Sequence, residues 1–210
     1  MTLAQPIRTS ATPEEYLRYE YDARERHEYR DGDVVAMAGG TPPHSLVIAN
    51  IIGTLHGQLR GKPCRVYDSN LRVRSIRRSL YTYPDATVIC GDPQFDPQDA
   101  RRQTVINPTL IVEVLSPSSE GDDRGEKFDR YRGIESLREY VLVSQTTARV
   151  ETFLRQQDGD WLYHPTVGLE SAARLRSIDV ELPLAEVYAG VELPPAAATV
   201  EPDDSARVEA

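Results

Sequence analysis

Cysteine is nearly absent from this chain of 210 residues, and the two present, Cys64 and Cys90, belong to no Cys-x-x-Cys pair and have no paired histidines nearby. That argues against a zinc site and a disulfide framework, and leaves both as plain core or loop thiols. Long apolar runs are missing too. No stretch approaches the roughly 20 residues of a membrane span, and Met1 to Ser10 lacks the apolar centre of a secretory signal, so a cytoplasmic protein with no membrane partner is expected. There is no internal repeat and no helix-turn-helix or zinc-finger pattern. Lysine is scarce as well: of 24 basic residues only Lys62 and Lys127 are lysine.

What remains is an ordinary globular composition, 40% hydrophobic and 27% charged with a mean hydropathy of −0.47, enough for a single domain over residues 1–190. The net charge of −9 speaks against a nucleic-acid partner, because phosphate contacts come from Lys and Arg. The average hides a split. Residues 191–210 set five acids against Arg207 beside Pro194, Pro195 and an alanine run, and read as a disordered acidic tail. Between Arg60 and Arg78, seven basic residues face only Asp68. That stretch reads either as a nucleic-acid surface with Arg65, Arg72 and Arg74 among its contacts, or as a solvated, arginine-rich hairpin.

Thr12-Pro13-Glu14-Glu15 joins an N-cap threonine to a first-turn proline and acids, and predicts a helix over 13–23. Asp31-Gly32 between two short apolar-rich runs predicts a β-hairpin. Val47, Ile48, Ile51, Ile52, Leu55 and Leu59 recur at three and four, giving an amphipathic helix over 43–59 that covers one face of a sheet. Residues 65–68, 71–75, 82–90 and 109–115 read as strands, with a polar loop over 92–107. Asp123 to Glu126 has capping-box spacing and opens a helix to about 133, after which 139–144, 149–155 and 161–163 read as strands. The sum is an α/β or α+β chain: a core of one mixed β-sheet flanked by helices, with an N-terminal helix and hairpin.

Glu113 is the residue that requires a reason. It sits inside Leu110-Ile111-Val112-Glu113-Val114-Leu115, a run apolar on both alternating faces. A carboxylate buried there must pair with a base, hold a proton or bind a metal cation. Asp85, in Tyr83-Pro84-Asp85, places a second carboxylate in another β-rich run. If the two strands are neighbours, Asp85 and Glu113 converge and offer hard oxygens to Mg²⁺ or Mn²⁺; Asp85 after a proline also suits a turn cap. Lys127 is the third element. An ammonium can orient or help deprotonate a water and stabilise phosphate charge where a guanidinium does so poorly. Lys127 shares a helix face with Tyr131 at i+4 and also suits a lysine snorkelling from the stripe of Phe128, Tyr131 and Ile134.

A proline-aspartate on one strand, a glutamate in a buried strand and a nearby lysine resemble the PD-(D/E)xK phosphodiesterases, the restriction-endonuclease-like superfamily. His27-Glu28-Tyr29-Arg30-Asp31-Gly32-Asp33, Ala36-Met37-Ala38-Gly39-Gly40, His44, Tyr83-Pro84-Asp85, Val112-Glu113-Val114-Leu115-Ser116-Pro117-Ser118, Asp123-Arg124-Gly125-Glu126-Lys127 and Leu137-Arg138-Glu139-Tyr140-Val141-Leu142-Val143 are similar to the Uma-type family of restriction-endonuclease-like proteins, over about residues 12–191. The resemblance implies a Mg²⁺- or Mn²⁺-dependent endonuclease acting on DNA. It places Asp85, Glu113 and Glu28 at the metal with a backbone carbonyl near Val114, and makes a homodimer the expected assembly.

Two departures bear on mechanism. Position 115, where the superfamily has lysine, holds Leu115, so the lysine role would migrate to Lys127. Asn70 and Arg72 stand where the family often carries aspartate and lysine. Glu28 also reads as a cross-strand partner for a hairpin arginine. His44 lies at a helix start, where the dipole disfavours its protonation, and reads as a neutral structural histidine or a substrate contact. The rival readings are a catalytically inactive nucleic-acid-binding or regulatory protein that retains the fold, and a purely structural Glu113–Lys127 ion pair.

Overall fold

The computed structural model describes residues 6–37, 39–116 and 120–194. Ala38, Pro117 and Ser118 of the motifs, residues 1–5 of the segment read for a signal, and residues 195–210 of the acidic tail lie outside these. Helix α1 (Pro13–Glu20) begins at Thr12, which forms a reciprocal capping box with Glu15. Strands β1 (His27–Arg30) and β2 (Asp33–Ala36) pair around Asp31 and Gly32, both at positive φ, 49° and 103°. A two-residue hairpin turn demands that conformation, and Asp-Gly meets it. Helix α2 (Pro42–Gln58) is capped by Thr41, with Pro42 and Pro43 in its first turn.

The chain continues through β3 (Cys64–Asp68), β4 (Arg72–Ser75), β5 (Leu80–Thr82), β6 (Ala86–Cys90), β7 (Thr104–Val105), β8 (Leu110–Leu115), α3 (Glu120–Arg124), α4 (Glu126–Arg132), β9 (Glu139–Ser144), β10 (Arg149–Arg155), β11 (Trp161–Val167), β12 (Ala172–Leu175), β13 (Val180–Pro183) and α5 (Leu184–Val187). A six-stranded mixed sheet runs β11-β10-β9-β8-β6-β3, a five-stranded one β2-β1-β5-β4-β7, and β12 and β13 form a separate pair. Within the larger sheet β8 and β9 are parallel, which requires a crossover, and α3 and α4 lie within it. No helix among the described residues is long and apolar enough to cross a membrane.

All six residues of β8 are buried. Leu110, Val112 and Val114 face a core built with Val47, Ile51 and Leu55 of α2, while Ile111 and Leu115 face a second core with Tyr131 and Ile134. Alternation along the strand therefore aims Glu113 into the second core.

Four expectations are corrected. Residues 82–90 are not one strand: β5 ends in one sheet and β6 begins in the other, and Tyr83-Pro84-Asp85 crosses between them, where the missing N–H of Pro84 breaks no ladder. The stretch from Arg60 to Arg78 is not a hairpin, because β3 and β4 belong to different sheets. Asp123 is not a helix cap; it lies in α3, and the break falls at Gly125, whose φ of −111° and ψ of −102° are not helical. The cysteines are not free thiols. The antiparallel register of β3 on β6 sets Cys64 opposite Cys90, and they form a disulfide. Elements β7, β12, β13 and α5 have no counterpart among the expected ones.

Candidate active site

Glu113 is 4% exposed. One carboxylate oxygen, Oε1, accepts a hydrogen bond from the Tyr131 hydroxyl at 2.6 Å and lies 2.9 Å from Lys127 Nζ. Both partners come from α4, whose i,i+4 spacing puts them on the face that packs against β8. Burial pushes the Glu113 carboxyl up to about 8, the negative charges of Asp123 and Asp85 add to the rise, and Lys127 and Tyr131 hold it back.

Lys127 is itself buried and faces three carboxylates: Glu113, Asp123 Oδ1 at 3.4 Å and Glu28 Oε1 at 3.5 Å. Burial works to discharge the ammonium, but Glu113 above all, with Glu28 and Asp123, raises its pKa well above the ordinary lysine value. Glu28 reaches this cluster from β1. Thr82 lies opposite on β5 and donates its hydroxyl to Oε1, and Arg30 donates Nε to Oε2 at 2.9 Å. Burial works to raise Glu28, yet Lys127, Arg30 and Thr82 prevail and hold it at about 2. Arg30 also reaches Asp122 of α3 at 2.7 Å.

Asp85 stands at the adjoining corner. Ala86 pairs with Val112 across β6 and β8, which brings the residue before β6 alongside Glu113. Its Oδ2 accepts the Val114 N–H at 2.7 Å. His44, in the first turn of α2, donates Nε2–H to the Val114 carbonyl at 3.0 Å, with Asp85 Oδ2 at 3.5 Å. The hydrogen bond to Asp85 raises the His44 pKa against the effect of burial, so protonation at this helix start is favoured rather than disfavoured.

Charge decides what this corner can take. Glu28, Asp85, Glu113, Asp122 and Asp123 outnumber the permanent cations Lys127 and Arg30, and the repulsion of Asp123 and Asp85 adds to the burial that raises Glu113. Among the described residues no group of three or more His, Cys, Asp or Glu side chains is placed to hold a metal ion. An ion that binds through one or two carboxylates and keeps its waters, as Mg²⁺ does, needs no such group, and surplus negative charge beside the Asp85 carboxylate and the Val114 carbonyl fits it.

The predicted nucleic-acid contacts fare differently. Arg65 is exposed on β3. Arg72 is 2% exposed, and it donates Nε to Thr104, Nη1 to Tyr83 and Nη2 to Asp99. Arg74 is turned to Asp96 at 2.5 Å. For Arg72 the surface expectation is corrected: its buried guanidinium ties β4 to β7 and the loop before it and is not presented to a nucleic-acid backbone, while Arg74 is partly buried against that loop. Sequence reasoning missed Asp123, Thr82, Asp122 and Arg30 as members of the cluster. The i,i+4 spacing of Asp123 and Lys127 and the i,i+2 spacing of Glu28 and Arg30 were the available signals.

These elements define a mixed α/β fold with helices packed on its sheets. The Uma2 family, described as "Putative restriction endonuclease", matches residues 13–186, and the chain belongs to it. The uncharacterized protein slr1290 of Synechocystis sp. is 38% identical over 184 residues, covering 86% of this chain and 92% of the relative. A second Synechocystis protein, the uncharacterized sll1609, is 34% identical over 157 residues, 75% of this chain and 88% of its own. A crystal structure from Anabaena variabilis, titled as "a putative nuclease belonging to DUF820", shares the fold with a TM-score of 0.67 at 15% identity, covering 85% of this chain and 97% of that one.

Proposed function

We propose that the protein is a divalent-metal-dependent endonuclease that hydrolyses phosphodiester bonds in DNA. The observation that carries this reading is the ammonium of Lys127, 2.9 Å from Glu113. Position 115, which shares the Glu113 face of β8, holds a core leucine. Lys127 supplies from α4 the charge that this face lacks.

Hydrolysis adds water across one P–O bond: the water oxygen bonds to phosphorus, the bond to the leaving sugar oxygen breaks, and that oxygen takes up a proton. Asp85 and Glu113, with Glu28 behind Lys127 and the Val114 carbonyl, would hold Mg²⁺ or Mn²⁺. When bound, such an ion polarises the scissile phosphate and lowers the pKa of a water. Lys127 orients the attacking water or stabilises the charge gathering on the pentacoordinate phosphorus. Tyr131 fixes the Glu113 oxygen that faces Lys127, and Glu28, anchored by Arg30 and Thr82, fixes the ammonium. Arg65 is available to the nucleic-acid backbone from the edge strand β3, and pairing of two copies would give access to both strands of a duplex.

The test is cleavage of plasmid, linear and single-stranded DNA with Mg²⁺ and Mn²⁺ by the wild type, Glu113→Ala and Lys127→Ala, with folding of each checked by circular dichroism. Metal-dependent cutting by the wild type that both folded variants lose by about 10²-fold or more is expected. A second reading, a non-catalytic nucleic-acid-binding or regulatory domain, is favoured by one observation: three carboxylates already engage Lys127. A folded wild type that cuts none of these substrates and binds DNA all the same would establish it.

A further inference from the structure

We infer that His44 is a nitrogen ligand of the proposed metal, which makes the site select a first-row transition ion such as Mn²⁺ over Mg²⁺; the inference rests on the metal-dependent reading above. Around an octahedral ion with bonds of about 2.1 Å, neighbouring donor atoms lie about 3.0 Å apart. His44 Nε2 is 3.0 Å from the Val114 carbonyl oxygen and 3.5 Å from Asp85 Oδ2. His44 Nε2 thus stands at about the separations of adjacent ligands from a carbonyl and a carboxylate oxygen; to take the ion it gives up to solvent the proton it shares with the Val114 carbonyl, and the ring keeps its proton on Nδ1.

Each of the three is held in place by something else. Asp85 Oδ2 is fixed by the Val114 N–H, the carbonyl by the β8 backbone, and the imidazole by its position three residues past the Thr41 cap of a 17-residue helix. The chain also closes over the ring from the far side, where a Cβ on Gly40 would come within 2.8 Å of Nδ1. Two oxygens and an imidazole nitrogen make a mixed donor set. Transition ions take such nitrogen readily, whereas Mg²⁺ prefers all-oxygen coordination and gains nothing over a water.

The experiment uses the full chain and Mn²⁺ alone. Binding is followed by calorimetry, and the bound ion is examined by pulsed electron paramagnetic resonance for coupling to a directly bound ¹⁴N. The expected result is saturable Mn²⁺ binding that Asp85→Asn abolishes, with nitrogen coupling in the wild type. In His44→Gln that coupling disappears while Mn²⁺ still binds, weaker by about tenfold or more, and the preference over Mg²⁺ shrinks. Mn²⁺ bound through Asp85 without nitrogen coupling, or with coupling that survives in His44→Gln, overturns the role of His44 and leaves the metal reading standing. Absence of saturable Mn²⁺ binding overturns both. Should His44→Gln not fold, the wild-type spectrum decides whether nitrogen is bound, and His44→Asn assigns it.

Discussion

The buried charge clusters around Arg72 and around Lys127 are built to opposite rules. Around Arg72 each guanidinium nitrogen has an acceptor, in Thr104, Tyr83 and Asp99, while Asp99 also accepts from Tyr21, Thr104 and the backbone N–H groups of Arg101 and Gln103. Burial alone would raise Asp99, yet these hydrogen bonds lower its pKa. Around Lys127 the carboxylates outnumber the cations, and one of them, Glu113, is pushed up to about 8 while its neighbour Glu28 is held at about 2. A balanced cluster stabilises a fold. An unbalanced one keeps charge available for something that the folded chain alone does not supply.

The contrast can be broken from either side. Removing Arg72 as Arg72→Met strands Asp99 without its cation, and a loss of about 3–5 kcal/mol is expected in denaturant unfolding. A loss below about 1 kcal/mol would show that the matched cluster is not structural. Reduction of the Cys64–Cys90 disulfide, which joins edge strand β3 to β6, should cost about 3 kcal/mol by releasing chain entropy in the unfolded state. Unfolding with and without reductant measures it, and the pH dependence assigned to Glu113 should survive the change.

Glu113→Gln is expected to behave differently from Arg72→Met, costing less than about 1 kcal/mol at neutral pH or raising the melting temperature. The sign follows from linkage. A carboxyl raised from its ordinary value near 4.5 to about 8 binds its proton more tightly in the folded state, so wild-type stability falls as pH rises through that window. The variant lacks the proton and the slope, and its advantage should grow from pH 5 to pH 8 in parallel melts. A destabilisation like that of Arg72→Met would make the Glu113–Lys127 pair structural instead. Arg77→Ala sets the scale of a solvated pair: Arg77 and Glu135 are both mostly exposed, and the change should stay within about 0.5 kcal/mol.

How much of this is legible in the chain depends on how local each cause is. The capping box at Thr12, the Asp-Gly turn and the three-and-four spacing of α2 act within a few residues, and each produces its expected element. The hidden position of Glu113 is legible because an apolar run on both strand faces leaves a carboxylate nowhere to be but inside. Arg72 misleads for the opposite reason. Arginine in a basic stretch looks solvated unless its acceptors are known, and Asp99 lies in a loop and Thr104 in a two-residue strand, neither of which carries a periodic signal.

By itself the sequence determines the local elements, the family motifs, a glutamate set in an apolar run and a scarcity of lysine that marks out Lys127, since these depend on side-chain type and short spacing. Only the tertiary structure decides which carboxylates surround Lys127, that β3 and β4 part into different sheets, and that Cys64 meets Cys90. Those outcomes depend on strand order and register, which are set by how whole faces pack and not by the residues alongside.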